Sequence, residues 1–481
     1  MYNINKTKII GTLGPSCKTE KSVVDLIIAG MDVVRINLSH GDRQSHTQAI
    51  ETVKRAREKT GKKTAILLDT RGPEIRVGEL GKGTFLNIGA EIVFSSKAGD
   101  AGTTPVNYEA FADDVSVDDF ILLDDGKMRL QVVDTDNNQV TAQVIVGGTL
   151  YSRKRVSLPD IEVNLPSITT EDREDIIFGV HQEVDFIAVS FVRKAEDVQN
   201  VREVIRDSGG NQWIIAKIEN RQGVENLQEI LEVADGLMVA RGDLGVEMPA
   251  EEVPVIQKRI IKAANIAGKP VITATQMLES MISSPTPTRA EASDVTNAIF
   301  DGTDAVMLSG ETAVGGYPLE AVRFLARNAR ISEAALDYEA ILADGLRNRR
   351  PVITDAISYA SCATAADLSA AAIITATTSG STALRVARYR PKTPILAFSS
   401  VPATLRKLQM IRGVIPRSCT KSYSLNQQVY YIVHKALQEK LIEVGERVII
   451  TAGLPLHTAG TTNTLKVLRI DESYLEKPDE E

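Results

Sequence analysis

The sequence predicts an α/β protein: a (β/α)8 barrel with a small β domain inserted after its third strand and a second α/β unit behind it. Three observations lead there. Eight short apolar runs lie between Thr7 and Glu311, and several end in a polar cluster. Most are separated by segments long enough for a helix, such as 44–59 and 254–267, which is the alternation of a parallel barrel. The rhythm fails once, between Arg71 and about Leu165, where short alternating stretches and turn dipeptides replace it.

In order, the runs are TKIIGTL from Thr7, DVVRINLS from Asp32, KTAILLDT from Lys63, DFIAVSF from Asp185, WIIAKIEN from Trp213, GLMVARGDL from Gly236, PVITATQM from Pro270 and AVMLSGE from Ala305. The interrupting segment carries TFLNI from Thr84 and QVTAQVIV from Gln139, with Asp-Asp-Gly and Gly-Gly turns. After about Arg349 a helix is expected near Thr354–Leu368, then strands at Ala371–Thr377, Ile395–Ser400, Arg447–Gly453 and Leu465–Ile470. The expected domains are 1–70 with 166–345 for the barrel, 71–165 for the insert and 346–481 for the last unit.

At 481 residues and 52.2 kDa the chain exceeds what one hydrophobic core usually serves. No apolar run approaches the roughly 20 residues of a membrane span, so no membrane partner is expected. Met1–Lys8 lacks the apolar core of a signal peptide, which points to the cytoplasm. Cys17, Cys362 and Cys419 show no ligand spacing. A net charge of −8 and a pI near 5.5 argue against a nucleic-acid surface.

In a barrel of this kind the active site gathers at the carboxyl ends of the strands, where the polar clusters fall. Lys217 and Glu219 stand two apart, so on a strand both leave one face. Arg241 and Asp243 are expected to repeat that arrangement on the next strand, letting two acids share one hard metal ion. Mg2+ suits them, because it takes few protein carboxylates and keeps other positions for water or substrate. The second run adds Arg35, Asn37 and Ser39 on one face, and the third adds Asp69, Thr70, Arg71, Glu74 and Arg76. The seventh and eighth contribute Thr273, Thr275, Ser309 and Glu311. Arg35, Arg76 and Lys217 would neutralise phosphoryl oxygens. Singly, each has a plain reading: a Lys-x-Glu surface ion pair, a Thr or Ser capping a backbone group, an unclustered histidine. Jointly they do not, since most of the strands put polar groups at the same end.

These residues stand in stretches that resemble the pyruvate kinase family over almost the whole chain: RINLSHG from Arg35, LLDTRGPEIR from Leu67, AKIEN from Ala216, MVARGDLGVE from Met238, ITATQMLESM from Ile272, PTPTRAEASDVTNAIFDGTDAVMLSGETA from Pro285 and TTNT from Thr461. The resemblance implies a TIM barrel with an inserted β-barrel lid and a C-terminal α/β regulatory domain. It implies transfer of the phosphoryl group of phosphoenolpyruvate to ADP, giving pyruvate and ATP, with Mg2+ or Mn2+ and K+ as cofactors. Glu219 and Asp243 match the Mg2+ ligands, and Asn37, Ser39, Asp69 and Thr70 the K+ shell. Glu74 supports K+ dependence, since K+-independent relatives carry Lys there. Lys217, Thr275 and Arg35 match catalytic residues, and Arg35, Gly242, Asp243 and Thr275 substrate contacts. Arg76, Lys154 and His40 match nucleotide contacts. One stretch departs from the family: where Lys-Gly and then Asn-Leu-Pro-Gly are usual, this chain has Lys154-Arg155 and then SLPD from Ser157.

The resemblance further implies a homotetramer, with the helix near Pro287–Phe300 at the barrel-to-barrel interface. A phosphorylated allosteric effector is expected at Thr377, Thr378, Ser379, Gly380, Ser381 and Thr382, between a strand and a helix start expected near Ala383. The loop from Gly453 to Gly460 lacks the Trp and Arg some bisphosphate-activated relatives use, which favours a monophosphate. Two rivals differ in kind. A pyruvate-enolate lyase would need the metal acids but no ADP, and a silent scaffold paralogue would be expected to lose Lys217, Glu219, Asp243 or Thr275.

Overall fold

Eight parallel strands close the barrel in chain order: β1 (Lys8–Thr12), β2 (Val33–Asn37), β3 (Ala65–Asp69), β4 (Phe186–Val189), β5 (Trp213–Ile218), β6 (Gly236–Ala240), β7 (Val271–Ala274) and β8 (Ala305–Leu308). Each lies inside one of the eight apolar runs. The protein is seen here in a computed structural model that describes residues 5–97, 102–136, 138–420, 424–455 and 460–476.

The two-residue period sorts the strand residues into two layers. Ile10, Val33, Ala65, Leu67, Phe186, Ala188, Ile215 and Met238 pack inside the barrel. Ile9, Val34, Ile66, Leu68, Ile187, Ile214 and Val239 pack outward against the surrounding helices. Continuing the inner series to the carboxyl ends gives Thr12, Arg35, Asn37, Asp69, Ser190 and Lys217. The site is therefore the top of the inner layer, where aliphatic side chains give way to charge.

The insert is a seven-stranded sheet in the spatial order 75–76, 155–157, 120–123, 128–135, 139–146, 91–95, 104–105, with a two-stranded ribbon of 84–86 and 148–150 beside it. Its two edges meet through a bridge between Val77 and Val106, which curls the sheet into a small barrel around Phe94, Phe111, Leu130 and Val140.

The C-terminal unit has five strands in the order 414–418, 395–399, 372–376, 447–453, 462–469; only the last runs antiparallel. The edge strand Val414–Ser418 is missing from the sequence reading. Pro416 and Arg417 interrupt its apolar run, and an edge strand is where a sheet tolerates proline. The expected helix is present as Ile353–Asp367.

This unit grips the amino-terminal ends of the barrel strands. Lys8 Nζ donates to the Val414 carbonyl (2.8 Å), Arg406 pairs with Asp185 (2.6 Å), Arg390 pairs with Asp304 (2.9 Å), and Lys407 donates to the Asn211 carbonyl (2.6 Å). Asp185 and Asp304 are almost fully buried. Among the described residues, no helix is long and apolar enough to cross a membrane.

Candidate active site

Lys217 sits at the centre of a buried charge network. Its ammonium lies 2.9 Å from Glu219 Oε1 and 3.1 Å from Asp69 Oδ1, and it donates to Ser190 Oγ at 2.7 Å. Burial alone would push its pKa down, but the carboxylates of Asp69, Glu219 and Asp243 outweigh that and hold it above the ordinary lysine value. Arg35 completes the row: its Nε donates to Asp69 Oδ2 (2.6 Å) and its Nη1 to Thr12 Oγ1 (3.1 Å). Burial works against the Asp69 carboxylate, yet Lys217 and Arg35 keep its pKa below the usual range.

Glu219 behaves differently. It is buried, accepts the Phe191 amide at 2.6 Å, and its pKa is raised to about 7. Burial is the largest cause; Lys217 opposes it, and the nearby Asp243 charge adds to the rise. Lys217 is thus held charged by a neighbour that is itself pushed towards neutrality, because three carboxylates compete for one ammonium. A second cation beside Glu219 and Asp243 would relieve exactly that competition between charges.

The expected strand-face pairing of Arg241 with Asp243 is not found. β6 stops at Ala240, and Arg241–Glu247 is a helix, so the two-residue period ends one residue too early. Arg241 turns away to Asp294 (2.7 Å) and the Thr275 carbonyl (2.6 Å), an orienting role. Asp243 stays near Glu219 from the first turn of that helix. Among the described residues, no group of three or more His, Cys, Asp or Glu side chains could hold a metal ion. An ion at Glu219 and Asp243 would complete its shell with water or substrate oxygens, the habit of Mg2+.

Of the other oxygen donors, Asp69 and Thr70 are buried, Asn37 is half-buried and Ser39 is exposed. Thr70 offers its carbonyl to the Ser190 hydroxyl (2.8 Å), and Asn37 Oδ1 accepts the Ser39 amide (3.2 Å). Asp69 Oδ1 is buried and paired with the Lys217 ammonium at 3.1 Å.

Thr275 and Gln276 have φ of 65° and 54°, left-handed backbone that is most strained for the β-branched Thr275. The turn aims Thr275 Oγ1 at the Gly242 amide, from which it accepts at 2.8 Å, while it donates to the Ala274 carbonyl at 2.7 Å. Two further end-of-strand candidates, Thr273 and Glu311, hold backbone and side-chain groups in place. Thr273 is buried and its Oγ1 donates to Thr303 Oγ1 (3.0 Å), and Glu311 accepts the Leu278 and Ser309 amides.

A cleft of about 330 Å³ opens between insert and barrel, lined by Glu74, Arg155, Asp160, Phe191, Arg221 and Glu247 among others. Arg76 lies outside this lining, donating to Glu74 (2.8 Å) and to the Arg153 carbonyl (2.8 Å). Lys154 is paired with Asp124 (2.7 Å), and His40 is exposed, its carbonyl 2.7 Å from His46 Nε2. Ser190 and Phe191 are absent from the expected site residues, and Arg155 stands out in the sequence only as a departure from the family pattern. Ser190 follows a barrel strand in the same position as the residues that were chosen. The sequence gives no sign of the partner of Arg155, which lies 88 residues away.

In the C-terminal unit, the loop 377–380 joins the strand Ala372–Ala376 to the helix Ser381–Ala387, which starts two residues before the expected Ala383. Gly380 has φ of 89°, and its amide donates to Thr377 Oγ1 (3.0 Å). Thr378 and Ser379 are exposed, with Ser379 Oγ donating to Ser381 Oγ (3.2 Å). Thr382 is buried and bonded to Thr462 (3.0 Å). Residues 456–459 of the other expected effector loop lie outside the described residues.

Comparison with known proteins identifies the family. The family model described as the pyruvate kinase barrel domain matches residues 4–322, and that described as the pyruvate kinase alpha/beta domain matches 355–468. A pyruvate kinase of Geobacillus stearothermophilus is 49% identical over 468 residues, 96% of this chain and 80% of its own. One from Clostridium acetobutylicum is 47% identical over 474 residues, 96% of this chain and 99% of its own. The crystal structure of a pyruvate kinase from Cryptosporidium parvum matches with a TM-score of 0.92 and 38% identity, over 97% of this chain and 96% of that one. With the closed barrel, the inserted sheet and the buried lysine in place, the chain belongs to the pyruvate kinase family, enzymes that move the phosphoryl group of phosphoenolpyruvate to ADP and release pyruvate and ATP.

Proposed function

We propose that this chain carries out that transfer in the cytoplasm as a Mg2+- and K+-dependent enzyme, with the site residues in the following roles. The observation that carries the reading is Lys217, a buried ammonium kept charged by Asp69, Glu219 and Asp243 at the mouth of the barrel.

Lys217 neutralises the phosphoryl oxygens as they pass between donor and acceptor, and then the enolate oxygen left on the three-carbon product. Arg35, fixed by Asp69 and Thr12, steadies the phosphoryl group from the neighbouring strand. The Gly242 amide can exchange the Thr275 hydroxyl for a substrate carboxylate. Thr275, released from that bond, relays a proton from water to the enolate carbon, its hydroxyl regaining one from the water as it gives one up. Mg2+ at Glu219 and Asp243 (or Mn2+) would supply further positive charge beside the transferring group. K+ would sit among Asn37, Ser39, Asp69 and Thr70, with Glu74 favouring the monovalent ion. Arg76, Lys154 and His40 would contact nucleotide after the insert moves, since Lys154 must first leave Asp124. Closure of the insert over the cleft keeps water from the phosphoryl group.

Two further parts of the reading concern the whole molecule. A phosphorylated effector, such as a sugar monophosphate or nucleoside monophosphate, would bind at 377–382. Copies would pair into a tetramer through the helix Arg289–Asp301, near which Phe300 and Ile331 are exposed. Light scattering at assay concentration is expected to give a fourfold mass; a monomer there rejects the tetramer.

A coupled assay that adds ADP, Mg2+ and K+ in turn tests the core of the reading. Pyruvate is expected only when all are present. Pyruvate release without ADP would favour the lyase instead.

A further inference from the structure

Arg155 and Asp160 are the two charges that this chain adds to a stretch otherwise resembling its family, and both reach from the insert to the barrel. Asp160 pairs with Arg221. Arg155, on the strand Arg155–Ser157, sends Nη1 to Asp243 Oδ1 at 2.5 Å and Nη2 to Glu247 Oε1 at 3.4 Å, while its guanidinium lies over the Phe191 ring, 4.8 Å from the centroid. Its side chain is only 10% exposed. Asp243 and Glu247 stand one helical turn apart on Arg241–Glu247, so one planar fork spans both acids.

We infer that Arg155 is a positioning residue that acts as a built-in counter-cation: it occupies Asp243 when no divalent ion is bound, and it must leave that carboxylate for the ion to bind. The inference rests on the reading of Asp243 as a metal ligand. Geometry carries it. The largely buried Arg155 fork spans both carboxylates of that helix turn and holds Asp243 at the shorter distance, so the oxygen a divalent ion would need already has a cation on it. The guanidinium and a divalent ion seek the same oxygen, so each excludes the other from it. Because Arg155 belongs to the insert and Asp243 to the barrel, the contact also holds the insert down over the cleft. Ion binding then unlatches the insert, and nucleotide finds an open cleft only in the metal-loaded enzyme. Glu247, keeping its place 3.4 Å from the fork, gives Arg155 somewhere to stay when Asp243 is taken.

The test uses the full-length, substrate-free protein. Mn2+ is titrated and followed by electron paramagnetic resonance, and hydrogen exchange of the peptide 150–160 reads the insert. Arg155→Gly is expected to bind Mn2+ about tenfold more tightly than wild type, with Arg155→Lys between them, as loss of a buried competing charge pair requires. Saturating Mn2+ is expected to speed exchange at 150–160 in wild type and to leave it unchanged in Arg155→Gly. Should the Gly variant fail to fold, the wild-type exchange measurement carries the test alone. A Mn2+ affinity in Arg155→Gly within about twofold of wild type, or wild-type exchange unmoved by Mn2+, overturns the latch. Asp243→Asn separates the two readings: binding lost there leaves the metal site standing in either case, whereas binding undiminished in Asp243→Asn overturns both.

Discussion

The barrel and the C-terminal unit both gather polar residues beyond the carboxyl ends of parallel strands, yet one buries charge there and the other buries only hydroxyls. Asp69, Lys217 and Glu219 are shut inside the barrel, each against an opposite charge. In the C-terminal sheet the equivalent position holds Thr375 and Thr382, and the loop beyond them faces solvent. Closure makes the difference. A ring of eight strands aims side chains from several directions at one point, so buried charges can find partners. An open sheet of five strands gives its loop no opposite wall, and a short polar turn suits a ligand that brings its own charge.

Cutting the network should therefore do more harm than altering the loop. Lys217→Met is expected to lower turnover by roughly 100-fold or more, as removal of a key electrostatic contact does. It should also lower the stability of the metal-free protein by about 3 kcal/mol, because Asp69 and Glu219 lose their shared cation. Added Mg2+ should recover part of the melting temperature but none of the rate. Activity within about tenfold of wild type would remove Lys217 from the reaction.

Withdrawal of K+, with Na+ and NH4+ also excluded, is expected to lower activity by about tenfold or more, and Glu74→Lys to make that activity independent of the ion. Undiminished turnover in K+-free buffer would show that the buried oxygen of Asp69 needs no monovalent partner.

A gentler probe is pH. Glu219 is protonated below about 7 in the metal-free protein, and a metal needs the ionised carboxylate. Mg2+ affinity should consequently weaken as pH falls from 8 to 6, by up to about tenfold per unit below the pKa. Calorimetric titration at the two pH values reads this directly. A flat profile would mean that Glu219 is already ionised and that Lys217 alone balances it.

The smallest effects belong to the loop. Ser379→Asp should abolish the response to phosphorylated effectors at low phosphoenolpyruvate and leave basal activity alone. Thr382→Val should cost about 1 kcal/mol of stability through the stranded Thr462 hydroxyl and weaken the effector response less than Ser379→Asp does. If Thr382→Val abolishes the response while Ser379→Asp does not, the ligand contacts are on the buried side and the comparison fails.

Much of the barrel was legible because its strands are buried on both faces, and such strands read as unbroken apolar runs. The charges at their ends were legible for the same reason, since Lys217 and Asp69 violate a pattern that Ile215 and Leu67 keep. What stayed hidden depended on where a strand stops. Arg241 looked like the partner of Asp243 until the chain turned helical at that residue. The strand Val414–Ser418 hid behind Pro416, and Arg155 behind its distance from Asp243. Periodicity reports which face a residue shares, and it says nothing about which distant residue will lie opposite.

The four contacts through which the C-terminal unit holds the barrel, at Lys8, Asp185, Asn211 and Asp304, all lie beneath the strands, at the far end from Lys217. Between that floor and the chemistry stand strands of four to six residues, roughly 16 Å of close-packed sheet. A stack so stiff cannot bend a little; it can only tilt or shift whole. News from the C-terminal loop would then travel as the leaning of one rigid body on another, like pressure on the foot of a column felt at its capital.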